Sequence, residues 1–297
     1  MDAILTWGLD VVRAVQTVEA PWLTAVMKAV TLAGSEYFYL ILLPIVFWCV
    51  DERFGLRFGL VVLFSSFLNA WLKIAIGQKR PYQLDPSVGM IAEKTFALPS
   101  QHAQGTATAW GMLAGKIRKP WGLILAIAVP LVVGFTRVYL GVHFPTDVLA
   151  GWALGWGMAL AWHFLGDRAE RALAAMNIRV VILLAALATM GMNALNMAET
   201  SLPGVFFGTA VGAAFMFRRV RFRADAGTPV ARLARFALGG VVLAIVYFGG
   251  KVVSPSEGES LYALARFVRY GLMGAWVSLG APWAFVKLGL AERRAEA

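Results

Sequence analysis

The stretch Thr136-Arg137-Val138-Tyr139-Leu140-Gly141-Val142-His143-Phe144-Pro145-Thr146-Asp147 ends one long apolar run and begins the next. An Arg, a His and an Asp at such a junction are costly at membrane depth and tend to mark function there. Pro145 suits the first position of a new helix, where its missing N–H costs nothing. Asp147 then falls in the first turn, able to fold back toward His143. A carboxylate on one imidazole nitrogen fixes the tautomer and leaves the other nitrogen free as base or nucleophile. Arg137 offers a planar fork of donors suited to phosphate.

The apolar runs on either side extend over the whole chain. Of 297 residues, 59% are hydrophobic and only 15% charged, with a mean hydropathy of +0.68. Stretches long enough to cross a bilayer recur from end to end. The fold class is therefore all-α, a polytopic integral membrane helical bundle. The net charge of +10 could suggest nucleic acid. The basic residues cluster between the apolar runs, however, and no soluble domain is left to present a binding surface. The bilayer and its anionic headgroups are the expected partners. Cys49 is the sole cysteine, so no internal disulfide can form. The first twenty residues show no basic leader or cleavage site, and no cleaved signal peptide is expected.

Met1 to Glu19 reads as an amphipathic interfacial helix, with Ile4, Leu5, Leu9, Val12 and Val15 on one side. Pro21 to Gly34 is apolar but short and contains Lys28, which suggests half-insertion. About nine spans are expected after it, near Ser35–Val50, Phe54–Ile76, Gln101–Lys116, Trp121–Tyr139, Thr146–Leu165, Ile178–Met197, Leu202–Phe217, Phe236–Gly250 and Leu261–Leu288. Three regions follow: interfacial helices over 1–34, a catalytic bundle over 35–167 and a C-terminal four-span unit over 168–297. Simple alternation puts Lys116, Arg118, Lys119, Arg168, Arg171, Arg179, Arg218, Arg219, Arg221, Arg223, Arg232, Arg235, Arg293 and Arg294 on one side. By the positive-inside rule that side is the cytoplasm. His143 and Asp147 then face away from it. A bacterial inner membrane is expected, with the site toward the periplasm and the C-terminus cytoplasmic.

Two further blocks share the polar character of the opening stretch. Lys73 is followed after six residues by Arg80-Pro81, and Pro99-Ser100-Gln101-His102 opens another helix. In order and spacing the three blocks resemble the signature of the type 2 phosphatidic acid phosphatase superfamily, which also includes vanadium haloperoxidases and glucose-6-phosphatase. That signature reads Lys-x6-Arg-Pro, Pro-Ser-Gly-His and Ser-Arg-x5-His-x3-Asp. The resemblance covers about Leu40 to Gly166. Gln101 stands where the family has Gly, and Thr136 where it has Ser. All matched residues fall at membrane ends on one face, an agreement that random matches would give only about half the time.

The chemistry of the residues fits that resemblance. A phosphate monoester carries up to two negative charges, and Lys73, Arg80 and Arg137 supply three cations. Ser100 and the backbone of Gln101 lie where a helix begins, and the free N–H groups of a first turn bind anions. Thr136 keeps the hydroxyl of its family position as a supporting group. His143 is the candidate nucleophile, oriented by Asp147, and would form a phosphohistidine. His102 would protonate the departing alkoxide and then activate water. The resemblance carries the same roles to the same positions. The scheme needs no metal or other cofactor. Arg266 and Arg269, three apart on one helix face, are possible lipid contacts near the outer end of the last span, with Glu199 at a similar depth.

The expected function is that of a metal-independent membrane lipid phosphatase. It would act on a lipid phosphate monoester or a polyprenyl diphosphate in the outer leaflet. A lipid phosphotransferase, passing the same phosphoryl group to another lipid, is one alternative. A transporter or scaffold with a vestigial site is the other.

Overall fold

The computed structural model describes residues 3–294. Met1 and Asp2 of the expected first helix and the last three residues of the expected cytoplasmic tail lie outside them. Among the described residues there is no β-strand, only an isolated bridge between Phe222 and Arg293. The helices are α1 (Ala3–Gln16), α2 (Pro21–Thr31), α3 (Glu36–Cys49), α4 (Glu52–Ile76), the short α5 (Pro81–Leu84), α6 (Gln101–Ile117), α7 (Pro120–Tyr139) and α8 (Pro145–Ala175). They continue as α9 (Ile178–Leu195), α10 (Ser201–Phe215), α11 (Pro229–Val253), α12 (Tyr262–Ala275) and α13 (Ala281–Lys287).

Every expected span is helical, but nine is more than length and apolarity support. Among the described residues six helices are long and apolar enough to cross a membrane, or up to seven spans if α2 and α3, which meet at a 45° bend around Leu32–Gly34 and qualify together, form one. Pro21–Gly34 is thus one arm of a bent helix pair that is long and apolar enough only together with α3. The two shortfalls have physical causes. α12 is only 14 residues long and runs through a π turn into α13. α6 carries Gln101, His102, Gln104, Thr106 and Thr108. Three of these side chains are satisfied within the protein: Thr106 Oγ1 donates to His102 O at 2.7 Å, Thr108 Oγ1 to Gln104 O at 2.9 Å, and Asn69 Nδ2 to Gln104 Oε1 at 2.8 Å.

The chain divides into two compact units. One holds the N-terminal stretch to Leu40 together with Leu68–Gly166, and the other holds Ile41–Phe67 with the chain from Asp167 onward. The chain crosses from one to the other after Leu40, after Phe67 and after Gly166. Ile41–Phe67, which the sequence reading grouped with the catalytic helices, belongs to the second unit. Its Phe47 and Trp48 join Met216, Phe222 and Phe285 in one buried cluster.

In the first unit the small residues after His102 and Asp147 let α6 and α8 touch backbone to backbone. A Cβ at Gly151 would stand 2.7 Å from Ser100 O, and one at Gly155 only 2.4 Å from Gln104 O. This contact is the close packing that small residues permit in membranes. It also lets Ser100 N donate to Asp147 O at 3.0 Å, which joins the starts of the two helices.

α1 buries Leu9 and Val12 against Val88, Val138, Phe144 and Val148, while Ile4 and Trp7 stay exposed, as in an interfacial helix. Arg13 Nη2 donates to Asp85 Oδ2 at 2.7 Å. Gln16 Nε2 donates to the carbonyls of Val88 and Tyr139, each at 2.8 Å. Hydrogen bonds from Ser87, and then from Arg13, push the Asp85 carboxyl down to about 2. α1 is therefore fastened to the loop between α4 and α6.

The second unit is held in part by buried charge. Arg235 is fully buried, and its Nη1 donates to the carbonyls of Trp48 at 2.8 Å and Ala224 at 3.0 Å. Glu52, 1% exposed, accepts from Ala224 N at 2.9 Å and pairs with Arg294. Buried charges need such partners, because one left unpaired costs several kcal/mol, on the order of 3–5.

Candidate active site

The site is built around the start of α8. Asp147 lies in the first turn with no exposed surface. Its Oδ2 accepts from Phe144 N at 2.9 Å and stands 3.2 Å from His143 Nδ1; its Oδ1 accepts from Gln78 Nε2 at 2.7 Å. The carboxylate is thereby fixed. On the other side of the imidazole, Arg80 Nη1 lies 3.2 Å from His143 Nε2. A guanidinium can only donate, so Nε2 is the accepting nitrogen and the ring proton sits on Nδ1, facing Asp147. His143, in the loop between α7 and α8, is 2% exposed. Burial first, and then the charges of Arg80, Lys73 and Arg137, hold it well below the usual imidazole range. A neutral ring with its free lone pair on Nε2 is the form a nucleophile requires.

Three buried cations surround this ring. Lys73, in the last turn of α4, donates to Ala97 O at 3.1 Å and to Phe96 O. Arg80, at the start of α5, donates to Thr95 O at 2.7 Å, Thr95 Oγ1 at 3.0 Å, Phe96 O at 3.1 Å and Val142 O at 2.9 Å. Arg137, in the last turn of α7, donates through Nη1 to Thr31 Oγ1 at 2.8 Å and through Nη2 to Glu93. None of the three is more than 5% exposed. Ser100 caps α6, its Oγ accepting from Ala103 N at 3.5 Å. Gln101 and His102 follow, both half-buried. Thr136 Oγ1 donates to Val133 O at 2.6 Å, within its own helix.

The three sequence blocks therefore meet in the first unit. Arg266 and Arg269 belong to the second. Arg266 Nη2 pairs with Glu199 at 3.2 Å. Arg269 lies over the rings of Tyr247 and Tyr270, at 5.9 and 5.3 Å, and has no carboxylate partner among the described residues. No three His, Cys, Asp or Glu side chains among the described residues are placed to hold a metal ion.

Sequence reading missed Gln78, Thr31, Thr95 and, above all, Glu93. The Glu93 carboxylate pairs with Arg137 and lies 3.9 Å from Arg80 Nη2. The signal available was charge balance. Three motif cations exceed the single motif carboxylate, and the loop between α4 and α6 offers only Asp85 and Glu93. Glu93 holds donors that suit a phosphate. Glu93→Gln should therefore strengthen inhibition by inorganic phosphate about tenfold, the scale of one charge-assisted hydrogen bond. An unchanged inhibition constant would show that Glu93 does not compete for those donors.

Residues 54–171 match the model of the PAP2 superfamily, and residues 200–293 match that of the PAP2 superfamily phosphatase transmembrane extension. Phosphatidylglycerophosphatase B of Bacillus subtilis is 33% identical over 156 residues, covering 48% of this chain and 75% of that protein. Undecaprenyl-diphosphatase of Sulfolobus acidocaldarius is 28% identical over 137 residues, covering 45% of this chain and 66% of that protein. The crystal structure of a transmembrane PAP2 type phosphatidylglycerolphosphate phosphatase from Bacillus subtilis superposes with a TM-score of 0.51 at 28% identity, over 57% of this chain and 88% of that one. With its three motif blocks gathered around His143 and a relative matched over three quarters of its length, the chain belongs to the PAP2 superfamily.

Proposed function

We propose that the protein is a metal-independent membrane phosphatase that hydrolyses a lipid phosphate monoester or polyprenyl diphosphate through a phosphohistidine. The carrying observation is His143, with Nδ1 on Asp147 and Nε2 turned toward Arg80 among three buried cations. The Nε2 lone pair attacks phosphorus. The ester P–O bond breaks, and His102 gives its proton to the departing alkoxide. His102 then takes a proton from water, whose oxygen attacks phosphorus as the P–N bond breaks. Inorganic phosphate leaves and both histidines return to their starting forms. Lys73, Arg80 and Arg137, with the first-turn N–H groups behind Ser100 and Gln101, balance the charge on the phosphoryl oxygens.

Relatives that act on lipid and polyprenyl phosphates support a lipid substrate here. The first unit serves as the catalytic bundle and the spans after Asp167 as an accessory unit. The excess of basic residues in the opposite turns supports a site on the extracytoplasmic face, toward the periplasm of a bacterial inner membrane, with the C-terminus in the cytoplasm.

The test is phosphate release from a panel of lipid phosphates in detergent, with and without EDTA. Turnover should survive the chelator, and vanadate should inhibit as a phosphate mimic. Loss of activity in EDTA, restored by a divalent ion, would overturn the mechanism. Activity toward none of the panel would overturn the substrate class.

A further inference from the structure

We infer that the corner between α2 and α3 positions two groups of the active site, with Gly34 setting the ring of His102 and Thr31 the guanidinium of Arg137; the inference rests on the phosphatase reading. Both are positioning residues, and both lie ahead of the PAP2 match over residues 54–171.

The sequence builds a stiff corner here. α2 tightens into a 3₁₀ turn over Leu32–Gly34, and Ser35 follows with extended backbone. Ser35 N donates to Leu32 O at 3.0 Å, and Ser35 Oγ donates to the same carbonyl at 2.7 Å. Phe38 N donates in turn to Ser35 Oγ at 3.4 Å. One serine therefore closes α2 and caps α3. Each arm of the corner is keyed to a helix of the site. On the α2 side Thr31, 8% exposed, accepts from Arg137 Nη1 of α7 at 2.8 Å. On the α3 side the buried Tyr39 packs on Gly105 of α6, where a Cβ would stand 3.4 Å from its hydroxyl.

Between these anchors Gly34 lies against the histidine read as the general acid. A Cβ at Gly34 would stand 3.0 Å from His102 Cδ2, 3.1 Å from His102 Cβ and 2.8 Å from Val133 Cγ1. Gly34 does not have left-handed backbone, so the need for glycine is one of space alone. Its bare Cα is the wall on which one edge of the imidazole rests. A general acid works only within hydrogen-bond reach of the leaving oxygen, so its geometry comes before its pKa. A methyl at this wall would push the ring by a few tenths of an ångström. Misplacement by about 1 Å can cost about 10²-fold, so the methyl should cost about tenfold. That loss should be confined to the step that needs the proton. Thr31 acts differently: it fixes the direction of an Arg137 donor, which serves every phosphate alike.

The test measures kcat/KM for an alkyl phosphate and for nitrophenyl phosphate. Their ratio is blind to a general loss of structure, and kcat/KM stops at release of the alcohol, before water attacks. Gly34→Ala should lower the alkyl-to-nitrophenyl ratio about tenfold. The same substitution in a His102→Ala background should change the ratio no further, because no acid is left to displace. Gly34→Ala/Val133→Ala gives the methyl room on the α7 side and guards against a misfolded single variant; it should return the ratio toward the wild-type value. Thr31→Val keeps the shape but removes the acceptor. It should weaken vanadate inhibition and lower both kcat/KM values severalfold, with the ratio unchanged. A wild-type ratio in folded Gly34→Ala, or an equal drop with and without His102, would overturn the role of Gly34. Undiminished vanadate inhibition in Thr31→Val would overturn that of Thr31. A wild type inert toward every ester, or a His102→Ala variant without leaving-group dependence, would instead overturn the phosphatase reading itself.

Discussion

His143→Ala is expected to abolish turnover, with kcat reduced on the order of 10⁴-fold or more, as for other enzymes stripped of their nucleophile. The expectation follows from geometry. His143 Nε2 faces Arg80 Nη1 at 3.2 Å, and the ring proton is pinned on the far side by Asp147 at 3.2 Å. Asp147 cannot take over, because it is already held by Phe144 N and Gln78. Acid-labile label from a 32P-phosphate ester should be trapped on the wild type and not on the variant. Thermal unfolding of both proteins separates lost chemistry from lost structure. Trapped label on a folded His143→Ala protein would place the nucleophile elsewhere.

His102→Ala should show an effect that depends on the leaving group. An alkoxide leaves poorly without a proton, and losing a general acid costs about two to four orders of magnitude in rate. A nitrophenolate leaves well without help. The variant should therefore lose most of its activity on alkyl phosphates and retain much more of it on nitrophenyl phosphate. Dephosphorylation still needs water to be activated, so the second step should limit the nitrophenyl reaction and give a burst of nitrophenolate. Equal losses on both substrates without a burst would remove His102 from the acid–base role.

The structure bears on what the sequence could convey. Lys73, Arg80, Ser100, Arg137, His143 and Asp147 are legible because each sits at a helix end, where apolar periodicity stops and a Pro or a cap begins. The structure brings these six together. Gln78 and Thr95 are not legible, because the segments flanking α5 have no periodic pattern and their contacts are set by tertiary fit, and Glu93 is signalled by charge balance alone. Span counting fails at α6 for a related reason. Hydropathy scores a helix by its own side chains, and α6 is sheltered by Asn69 and by hydrogen bonds along its own backbone. The bend at Leu32–Gly34 reads in sequence only as the end of a short apolar run, since a broken span and two separate helices have the same composition.

The fastening of α1 and α2 limits how far this enzyme is modular. The PAP2 match begins at residue 54, yet Arg137 draws one of its partners from Thr31, and the carbonyls of Val88 and Tyr139 are bridged by Gln16. A fragment cut to the matched region would keep every motif residue. It would lose Thr31, one of the two partners of Arg137, and Gln16, which ties Val88 to Tyr139. Whether a truncation is tolerated depends on such buried hydrogen bonds more than on sequence position. The hydrogen bonds that reach this site thus extend to α1, about fifty residues ahead of the family boundary.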